Sequence, residues 1–246
     1  MFKLVLYNNS VLKSAFSGIG LLVEELQVRV DHDGLRCDAL DKSHVTFVHL
    51  ELEAGLFDEY SIDEPLSLNI DTGEFMKVLG RCKPKDILTL EADDGNLILT
   101  FEGDSTRTFK IRLIDLEYET PTPPEINHPF SCELPSTILK DAISDVGVFS
   151  DKIYIKHEEE DTYLYLSGED GFGATTSKYM IEAETNGTAN SVYALDKLKD
   201  FMKSEKFSDT IIIRTGVDIP LIMEFRLSTG DGVLSYLLAP RIEQEE

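Results

Sequence analysis

The chain lacks tryptophan, has only three cysteines and carries 23 basic residues against 46 acidic ones. Cys37, Cys82 and Cys132 are too few and too widely spaced for a disulfide framework or a zinc site. They predict buried reduced thiols in a cytosolic or nuclear compartment. No apolar run approaches the length of a membrane span, and no small-residue cleavage site follows the first strand, which argues against a signal peptide. The formal charge of −23 predicts a surface that as a whole repels nucleic acid.

Catalytic motifs are missing as well. There is no Walker-type phosphate loop, and Gly168, Gly171 and Gly173 stand in the wrong order for a dinucleotide fingerprint. The five histidines are scattered without a pair at metal-ligand spacing, and no Gly-x-Ser-x-Gly elbow occurs. We therefore expect a protein that is not an enzyme and that needs no cofactor and no metal.

What the chain does contain is an internal repeat. The apolar positions of one segment recur in the second half at a constant spacing: Val11, Leu12, Ala15, Phe16 and Ile19 are echoed by Ile138, Leu139, Ala142, Ile143 and Val146. The following strand repeats too, with Leu26 and Val28 matched by Ile153 and Ile155. Each copy has the size of a small domain, so the repeat predicts two similar domains in tandem.

Within each copy the pattern predicts a strand, a helix, a run of strands, a second helix and more strands. The helical period covers residues 8–20, 71–82, 135–144 and 194–203, with Ser10 and Asp71 as N-caps and Pro135 in a first turn. The order predicts an α+β fold: two antiparallel sheet domains, each with two helices on one face. A proline-rich stretch separates the copies, so we expect an N-terminal domain at 1–116, a connector at 117–130 and a C-terminal domain at 131–246.

The helical segments differ from the rest of the chain in charge. The windows 8–20, 71–85, 135–145 and 194–206, which contain them, hold ten of the 23 basic residues but only seven of the 46 acidic ones. Taken singly, these lysines are typical of solvated helix faces. Taken together, they predict one weakly basic surface on an acidic body, suited to loose, sequence-independent contact with phosphates. The residues expected to face phosphates are Lys13, Lys77, Arg81, Lys140, Lys197, Lys199 and Lys203.

Three segments carry a family resemblance: residues 40–50, 220–225 and, most specifically, 234–243. With the duplication and residues 113–116, they closely resemble proliferating cell nuclear antigen, the DNA sliding clamp of archaea and eukaryotes. The proline-rich connector and the lack of long insertions favour the archaeal type. The resemblance implies a trimeric ring whose helices line a hole for duplex DNA. It makes the chain a processivity factor for replication and repair, located in the archaeal cytoplasm at the nucleoid, or in the nucleus of a eukaryote.

The resemblance also implies two protein-binding regions. Subunits of the ring would pair through one strand of each copy, with contact residues Thr108, Phe109, Ile111, Leu113, Ser177, Tyr179 and Ile181. Short docking motifs of DNA polymerase, clamp loader, flap endonuclease and DNA ligase would enter a pocket beside the connector and the C-terminal tail. The pocket residues are Leu40, His44, Val45, Pro121, Pro123, Ile126, Pro220, Leu221, Ala239, Pro240, Arg241 and Ile242.

Other hypotheses remain open at this point. One is a scaffold protein of the same fold that does not bind DNA, and another is an enzyme whose site follows no known motif. Within the family, the chain is either one subunit of a homotrimer or one subunit of a heterotrimeric clamp. We expect no membrane partner.

Overall fold

The computed structural model describes residues 2–93, 95–117 and 119–242, without the side chain of Asn186. One position of the predicted connector, residue 118, and the end of the predicted C-terminal domain, residues 243–246, lie outside the described residues.

The first half of the chain forms a strand, a helix, five strands, a helix and three strands. Its helices are α1 (Ser10–Leu22) and α2 (Thr72–Leu79), and Ala54–Leu56 forms a single 3-10 turn. Its strands are β1 (Phe2–Leu6), β2 (Glu25–Val30), β3 (Gly34–Leu40), β4 (Thr46–Glu53), β5 (Glu59–Ile62), β6 (Leu66–Asp71), β7 (Ile87–Asp93), β8 (Asn96–Glu102) and β9 (Thr106–Arg112).

The second half repeats this order element by element. Its helices are α3 (Ser136–Val146) and α4 (Leu195–Phe201), and a 3-10 segment at Met202–Phe207 extends α4. Its strands are β10 (Phe130–Pro135), β11 (Lys152–His157), β12 (Tyr163–Glu169), β13 (Ala174–Met180), β14 (Ala183–Asn186), β15 (Ala189–Ala194), β16 (Thr210–Thr215), β17 (Leu221–Arg226) and β18 (Gly232–Leu238). The repeat seen in the sequence is therefore a duplication of the fold.

The chain divides into two compact units with matching strand orders. Unit 1 comprises Met1–His44, Val48–Thr122 and Leu227–Leu234. It contains the sheet β5-β1-β7-β8-β9 and the hydrogen-bonded series β6-β2-β3-β4. Unit 2 comprises Val45–Phe47, Pro123–Arg226 and Ser235–Glu246. It contains the corresponding series β14-β10-β16-β17-β18 and the sheet β15-β11-β12-β13.

The strand pairs whose register is described are antiparallel, so the predicted α+β class with antiparallel sheets is confirmed. The predicted domain boundaries at 116, 117–130 and 131 stay a prediction. Both units take in short segments from elsewhere in the chain.

Each unit buries aromatic side chains where its helices meet other elements. In unit 1 the rings of Phe16 on α1 and Phe75 on α2 lie 4.8 Å apart. In unit 2 the rings of Phe201 on α4 and Tyr236 on β18 stack at 4.4 Å with an interplanar angle of 4°. Burial of such rings is a large part of what stabilises a domain core.

The helix starts are partly as predicted. Asp71 is the N-cap of α2, because its side chain accepts a hydrogen bond of 2.8 Å from the backbone N–H of Glu74. Ser10, by contrast, is the first helical residue of α1, and the N-cap is Asn9. Pro135 is the N-cap of α3 rather than a first-turn residue, with φ −56° and ψ 132°. Its ring restricts φ but leaves ψ free to be extended.

Two predicted helices end early. The prediction ran α2 to Cys82, but the α-helix ends at Leu79, and the N–H groups of Arg81 and Cys82 bond three residues back, to Val78 and Leu79. Pro84 disfavours helical backbone at the residue before it, so the helix does not resume after this turn. Arg81 therefore lies in the turn after α2. Lys203 lies on the 3-10 segment after α4 rather than on an α-helix.

Candidate nucleic-acid interface and docking surfaces

The cationic residues of unit 1 belong to α1, α2 and the turn that follows. Lys13 is half-buried, and its ammonium group donates a hydrogen bond to the carbonyl oxygen of Cys82. Lys77 is exposed and forms an ion pair with Glu74, one helical turn earlier. Arg81 is exposed, and its carbonyl oxygen accepts a hydrogen bond of 2.9 Å from Arg107. Unit 1 thus presents cations on its helical layer, one of them partly neutralised.

Unit 2 repeats the arrangement with more lysines. Lys140 on α3 pairs with Glu205 at 2.6 Å. Lys199 on α4 lies against Gly147, the C-cap of α3, so closely that a Cβ at this glycine would stand 2.4 Å from the lysine Nζ. A helix C-terminus favours a positive charge. Lys197 is half-buried and Lys203 exposed. All four predicted cations of this unit therefore lie on or directly after its helices.

The predicted subunit strands each lie at the edge of a sheet. β9 pairs with β8 and ends the five-stranded sheet of unit 1, and β13 pairs with β12 and ends the four-stranded sheet of unit 2. The backbone groups on the outer side of each strand have no strand partner among the described residues. Such edges invite pairing with another chain.

The side chains of these strands correct part of the predicted contact set. Ile111 and Ile181 are already buried within their own chain, with 6% and 8% of their surface exposed, so a neighbouring chain has little more of them to cover. Phe109 is half-buried, with its ring 5.3 Å from that of Phe101. Thr108 is exposed, and Leu113, Ser177 and Tyr179 are half-buried, so all four have surface that a neighbouring chain can cover.

The unit 2 part of the predicted pocket is organised by the C-terminal tail. The N–H of Ala239 donates to the carbonyl oxygen of Val45 at 2.9 Å, and the N–H of Arg241 donates to Val192 at 2.7 Å. The guanidinium of Arg241 binds Asp151 at 3.0 Å and lowers the pKa of that carboxyl. The last described residue, Ile242, is 90% exposed.

The remaining pocket residues differ in how accessible they are. Val45 is 36% exposed, Pro220 and Pro240 are half-buried, and Pro123 and Ile126 keep exposed surface. Leu221 is a correction: it is fully buried in the unit 2 core, so a docked peptide would not touch its side chain. In unit 1, Leu40 is 37% exposed at the end of β3, and Pro121 is half-buried.

His44 in unit 1 has the left-handed backbone conformation, with φ 58°. Its N–H closes a turn onto the carbonyl oxygen of Asp41 at 2.9 Å. Non-glycine residues seldom adopt this conformation, so the loop that ends β3 has a defined shape.

One residue beside the predicted docking pocket was not predicted from the sequence. His128, among the prolines of the connector, donates through Nε2 to the carbonyl oxygen of Pro220 at 3.0 Å and so ties the connector to the start of β17. A single polar residue in a proline-rich segment carries no pattern that would have pointed to this role.

Three further observations concern other kinds of site. Among the described residues, no group of three or more His, Cys, Asp or Glu side chains is placed to hold a metal ion. Within the same part of the chain, no helix combines the length and the apolar character required to span a bilayer. The thiols of Cys37 and Cys132 are buried, which raises the pKa of each to about 12.

The duplicated fold and its cationic helices define the class: a tandem α+β protein of the DNA clamp type. Residues 1–120 match the model of the proliferating cell nuclear antigen N-terminal domain. The chain is 50% identical to the DNA polymerase sliding clamp of Methanobrevibacter smithii and 49% identical to that of Methanothermobacter thermautotrophicus, over 100% of each chain. This chain belongs to the archaeal proliferating cell nuclear antigen family of DNA polymerase sliding clamps.

Solved structures of the same family have the same fold. The crystal structure of the antigen from Thermococcus kodakaraensis superposes with a TM-score of 0.91 at 26% identity, covering 98% of this chain and 100% of that one. A complex of two such proteins, PCNA2 and PCNA3, from Sulfolobus tokodaii gives a TM-score of 0.90 at 28% identity, with the same coverage.

Proposed function

We propose that three copies of this chain close into a ring that encircles duplex DNA and tethers DNA polymerase to it. The observation that carries the proposal is full-length identity of 50% to a DNA polymerase sliding clamp, together with cations gathered on the helices of an otherwise acidic chain. The ring works by enclosure and tethering, without catalysing a reaction. It acts in the cytoplasm, where archaeal DNA is found.

The charge distribution supports sliding rather than fixed binding. The body carries a net charge of −23, which discourages phosphate contact everywhere except at the helices. There, Lys77 and Lys140 are ion-paired with Glu74 and Glu205, which weakens their attraction for phosphate. Contacts with phosphate carry no sequence information, so weak ones hold DNA in the ring without favouring any register.

Ring closure would use the two sheet edges, β9 of one subunit against β13 of the next. Pairing them extends both sheets and covers the unpaired backbone of each. Both edge strands belong to the same chain, so identical copies can close the ring, and we therefore favour a homotrimer. A heterotrimeric clamp is the second candidate, since one of the similar structures is a complex of two different clamp proteins. Light scattering on the purified chain separates them: a trimer mass supports the first, and a monomer points to missing subunits.

Phe109→Ala tests the location of the subunit contact. Truncating a ring that is buried on assembly costs about 3–5 kcal/mol when burial is complete, and less for this half-buried side chain. We expect the trimer to dissociate at sub-micromolar concentration. Tyr7→Ala is the control, because Tyr7 is an aromatic residue that is 62% exposed and follows β1, outside both edge strands. A variant at Phe109 that stays trimeric would place the contact elsewhere.

Charge reversal of Lys77 and Arg81 tests the helical face. We expect weaker retention on circular DNA and a smaller dependence on salt, with the trimer unchanged, because fewer counterions are released. Lys42→Glu with Arg226→Glu is the matched control: it makes the same charge change at exposed, ion-paired residues that do not belong to the helices. Equal salt dependence in both double variants would show that the helices do not face DNA.

Removal of the tail tests docking. In the proposed pocket, partner motifs of polymerase, clamp loader, flap endonuclease and ligase insert aromatic anchors, and losing such an anchor commonly costs about 2 kcal/mol or more. A chain ending before Ala239 loses the tail segment whose N–H groups bind Val45 and Val192 and should lose most of its affinity for a synthetic motif peptide. A chain ending after Ile242 keeps these contacts and is the control. Equal calorimetric affinity of the shorter chain would contradict the assignment.

A further inference from the structure

The solvent side of the four-stranded sheet in unit 2 carries a cluster of aromatic and basic side chains. We call it the Tyr–Lys face, and its members are Tyr154, Lys156, Tyr163, Tyr165, Lys178 and Met180. The alternate residues of β11 and β12 point to the core: Ile153, Ile155, Leu164 and Leu166 have at most 1% of their surface exposed. On the solvent side, Lys156, Lys178 and Met180 are exposed and the three tyrosines are half-buried.

The register of the strands places these residues in rows. Lys156 lies opposite Tyr165, and Tyr165 lies opposite Lys178, so one tyrosine stands between two lysines across three strands. Tyr163 lies opposite Met180 in the next row. Side chains directly opposite one another on one face of a sheet are in contact range, so the rows form one continuous surface.

The lysines of this face rest on tyrosine rings rather than on carboxylates. Nζ of Lys178 lies 3.7 Å from the ring centroid of Tyr163 and 5.7 Å from that of Tyr165, and Nζ of Lys156 lies 5.6 Å from that of Tyr154. Neither ammonium group forms an ion pair with a carboxylate within the described part of the chain. A cation held on an aromatic face keeps its charge available to a further anion.

The corresponding face of unit 1 shows that the fold does not require lysines resting on tyrosine rings. There Arg29 lies opposite Arg36 in the register, as Lys156 lies opposite Tyr165 in unit 2. Arg36 is ion-paired with Glu51 at 2.8 Å on β4, and Arg29 is ion-paired with Asp38. Because Arg36 pairs with Glu51 on the next strand and Tyr165 lies opposite Lys178, the counterpart of Glu51 in unit 2 is Lys178. The counterpart of Asp38, two residues after Arg36, is Ser167, two residues after Tyr165. The carboxylates that neutralise the face in one copy are absent from the same positions in the other.

From this pairing of exposed lysines with tyrosine rings we infer that the Tyr–Lys face docks a short acidic segment of a partner protein, one that combines carboxylates with aliphatic side chains. The lysines attract the carboxylates, and Met180, which is 75% exposed, and the tyrosine rings supply apolar area. A depression of about 200 Å³ on the same side, lined by Tyr154, Lys156 and Ser167 among others, has room for one side chain.

The spacing of the lysines restricts the partner. Lys156 and Lys178 are two strands apart, which is roughly 10 Å. A polyproline II segment has three residues per turn and rises about 3.1 Å per residue. Carboxylates at positions i and i+3 of such a segment lie on one side, about 9 Å apart, and would meet both lysines.

A nucleic acid fits this face less well. Two lysines are few for a polyanion, and acidic residues border them: Glu169 ends β12, and Asp161 accepts a hydrogen bond of 3.2 Å from the hydroxyl of Tyr165. Binding of single strands on a sheet requires a positively charged track as well as aromatic rings. A peptide with few charges avoids the repulsion from this acidic border.

The test measures binding of a short fluorescein-labelled peptide with aspartate at every third position and leucine or serine between, by fluorescence anisotropy with the full chain. We expect saturable binding that weakens with salt and is lost when asparagine replaces aspartate. Lys156→Ala with Lys178→Ala should weaken binding on the order of tenfold, because two surface charge contacts disappear. Lys42→Ala with Lys85→Ala, a pair of exposed lysines elsewhere, should leave it unchanged. Equal affinity in the two double variants would overturn the inference.

A second variant copies unit 1. Ser167→Asp with Lys178→Glu installs the carboxylates that the same backbone carries at Asp38 and Glu51, so we expect it to fold and to bind no acidic peptide. A single-stranded oligothymidylate serves as the competing probe. If it binds through Lys156 and Lys178 more tightly than the peptide does, the face is a nucleic-acid platform and the inference is wrong. None of these measurements depends on the tail pocket.

Discussion

The two halves of this chain fold alike but differ on the solvent side of corresponding sheets. In unit 1, ion pairs link the side chains on the solvent side of β2, β3 and β4, and Asp38 is bound to both Arg29 and His49. In unit 2 the corresponding side of β11, β12 and β13 carries tyrosines and lysines. The core-facing positions stay apolar in both copies, because burial constrains them, whereas the solvent side is free to diverge toward different contacts.

The largest expected effects lie in the two cores and should be alike. Phe16 in unit 1 and Phe201 in unit 2 have 1% and 0% of their surface exposed. Truncating either to alanine should cost about 3–5 kcal/mol of unfolding free energy, because a cavity replaces a buried ring. Urea unfolding at fixed protein concentration measures both. Phe172→Ala is the control, since Phe172 is 98% exposed and its loss should change stability by about 0.5 kcal/mol or less. A small effect at one core only would break the equivalence of the two copies.

The next effect separates the two sheet faces. Asp38→Ser gives unit 1 the residue found at the matching position of unit 2 and removes the partner of Arg29 and His49. The carboxylate side chain is only 14% exposed, so we expect a loss of about 1–3 kcal/mol. Ser167→Ala in unit 2 should stay within about 0.5 kcal/mol. The same urea titration compares them, and equal small changes would mean that the ion pairs of unit 1 add little stability.

A smaller effect concerns helix caps. Asp71 caps α2 with its side chain, whereas Ala194 occupies the same position before α4 with nearly the same backbone, φ −69° and ψ 118° against φ −75° and ψ 115°. Asp71→Ala should cost about 1 kcal/mol, and Ala194→Asp should stabilise by about 0.5–1 kcal/mol. Thermal unfolding of the two variants checks the opposite signs. Destabilisation by Ala194→Asp would show that the α4 start cannot accept a cap.

The smallest expected effect is the dependence of stability on pH that comes from His49 in unit 1. The hydrogen bond from His49 to Asp38 raises the pKa of His49 above its ordinary 6.5. The protonated form is therefore favoured in the folded state. Its contribution to stability is complete below the ordinary pKa and is lost as pH rises through the folded pKa. The stability difference between the wild type and His49→Gln should be larger at about pH 5.5 than at about pH 8.5. Thr176→Val, at the matching position of unit 2, should show no such difference. A pH-independent difference at His49 would contradict the ion pair.

Helix and strand identity was largely predictable because it follows from local periodicity. The four segments predicted to be helical, at residues 8–20, 71–82, 135–144 and 194–203, all contain α-helices in the structure. Helix ends were less predictable. The end of α2 at Leu79 depends on backbone hydrogen bonds three residues apart, and the N-cap of α1 depends on Asn9, which is 1% exposed and binds the carbonyl oxygens of Lys83 and Asp86. Lys83 and Asp86 are far from Asn9 in the sequence, so local periodicity does not reveal these contacts.

The sequence by itself determined the duplication, the α+β class, the family and the concentration of cations on the helices, because periodicity, spacing and composition are properties of the chain alone. Only the tertiary structure decided which of those cations are neutralised and that Leu221, Ile111 and Ile181 are buried. It also decided that Lys156 and Lys178 lie on either side of Tyr165 in the strand register. These facts depend on strand register and on contacts between residues far apart in sequence. Register sets which side chains face each other, and two copies of one backbone with different side chains therefore present different surfaces.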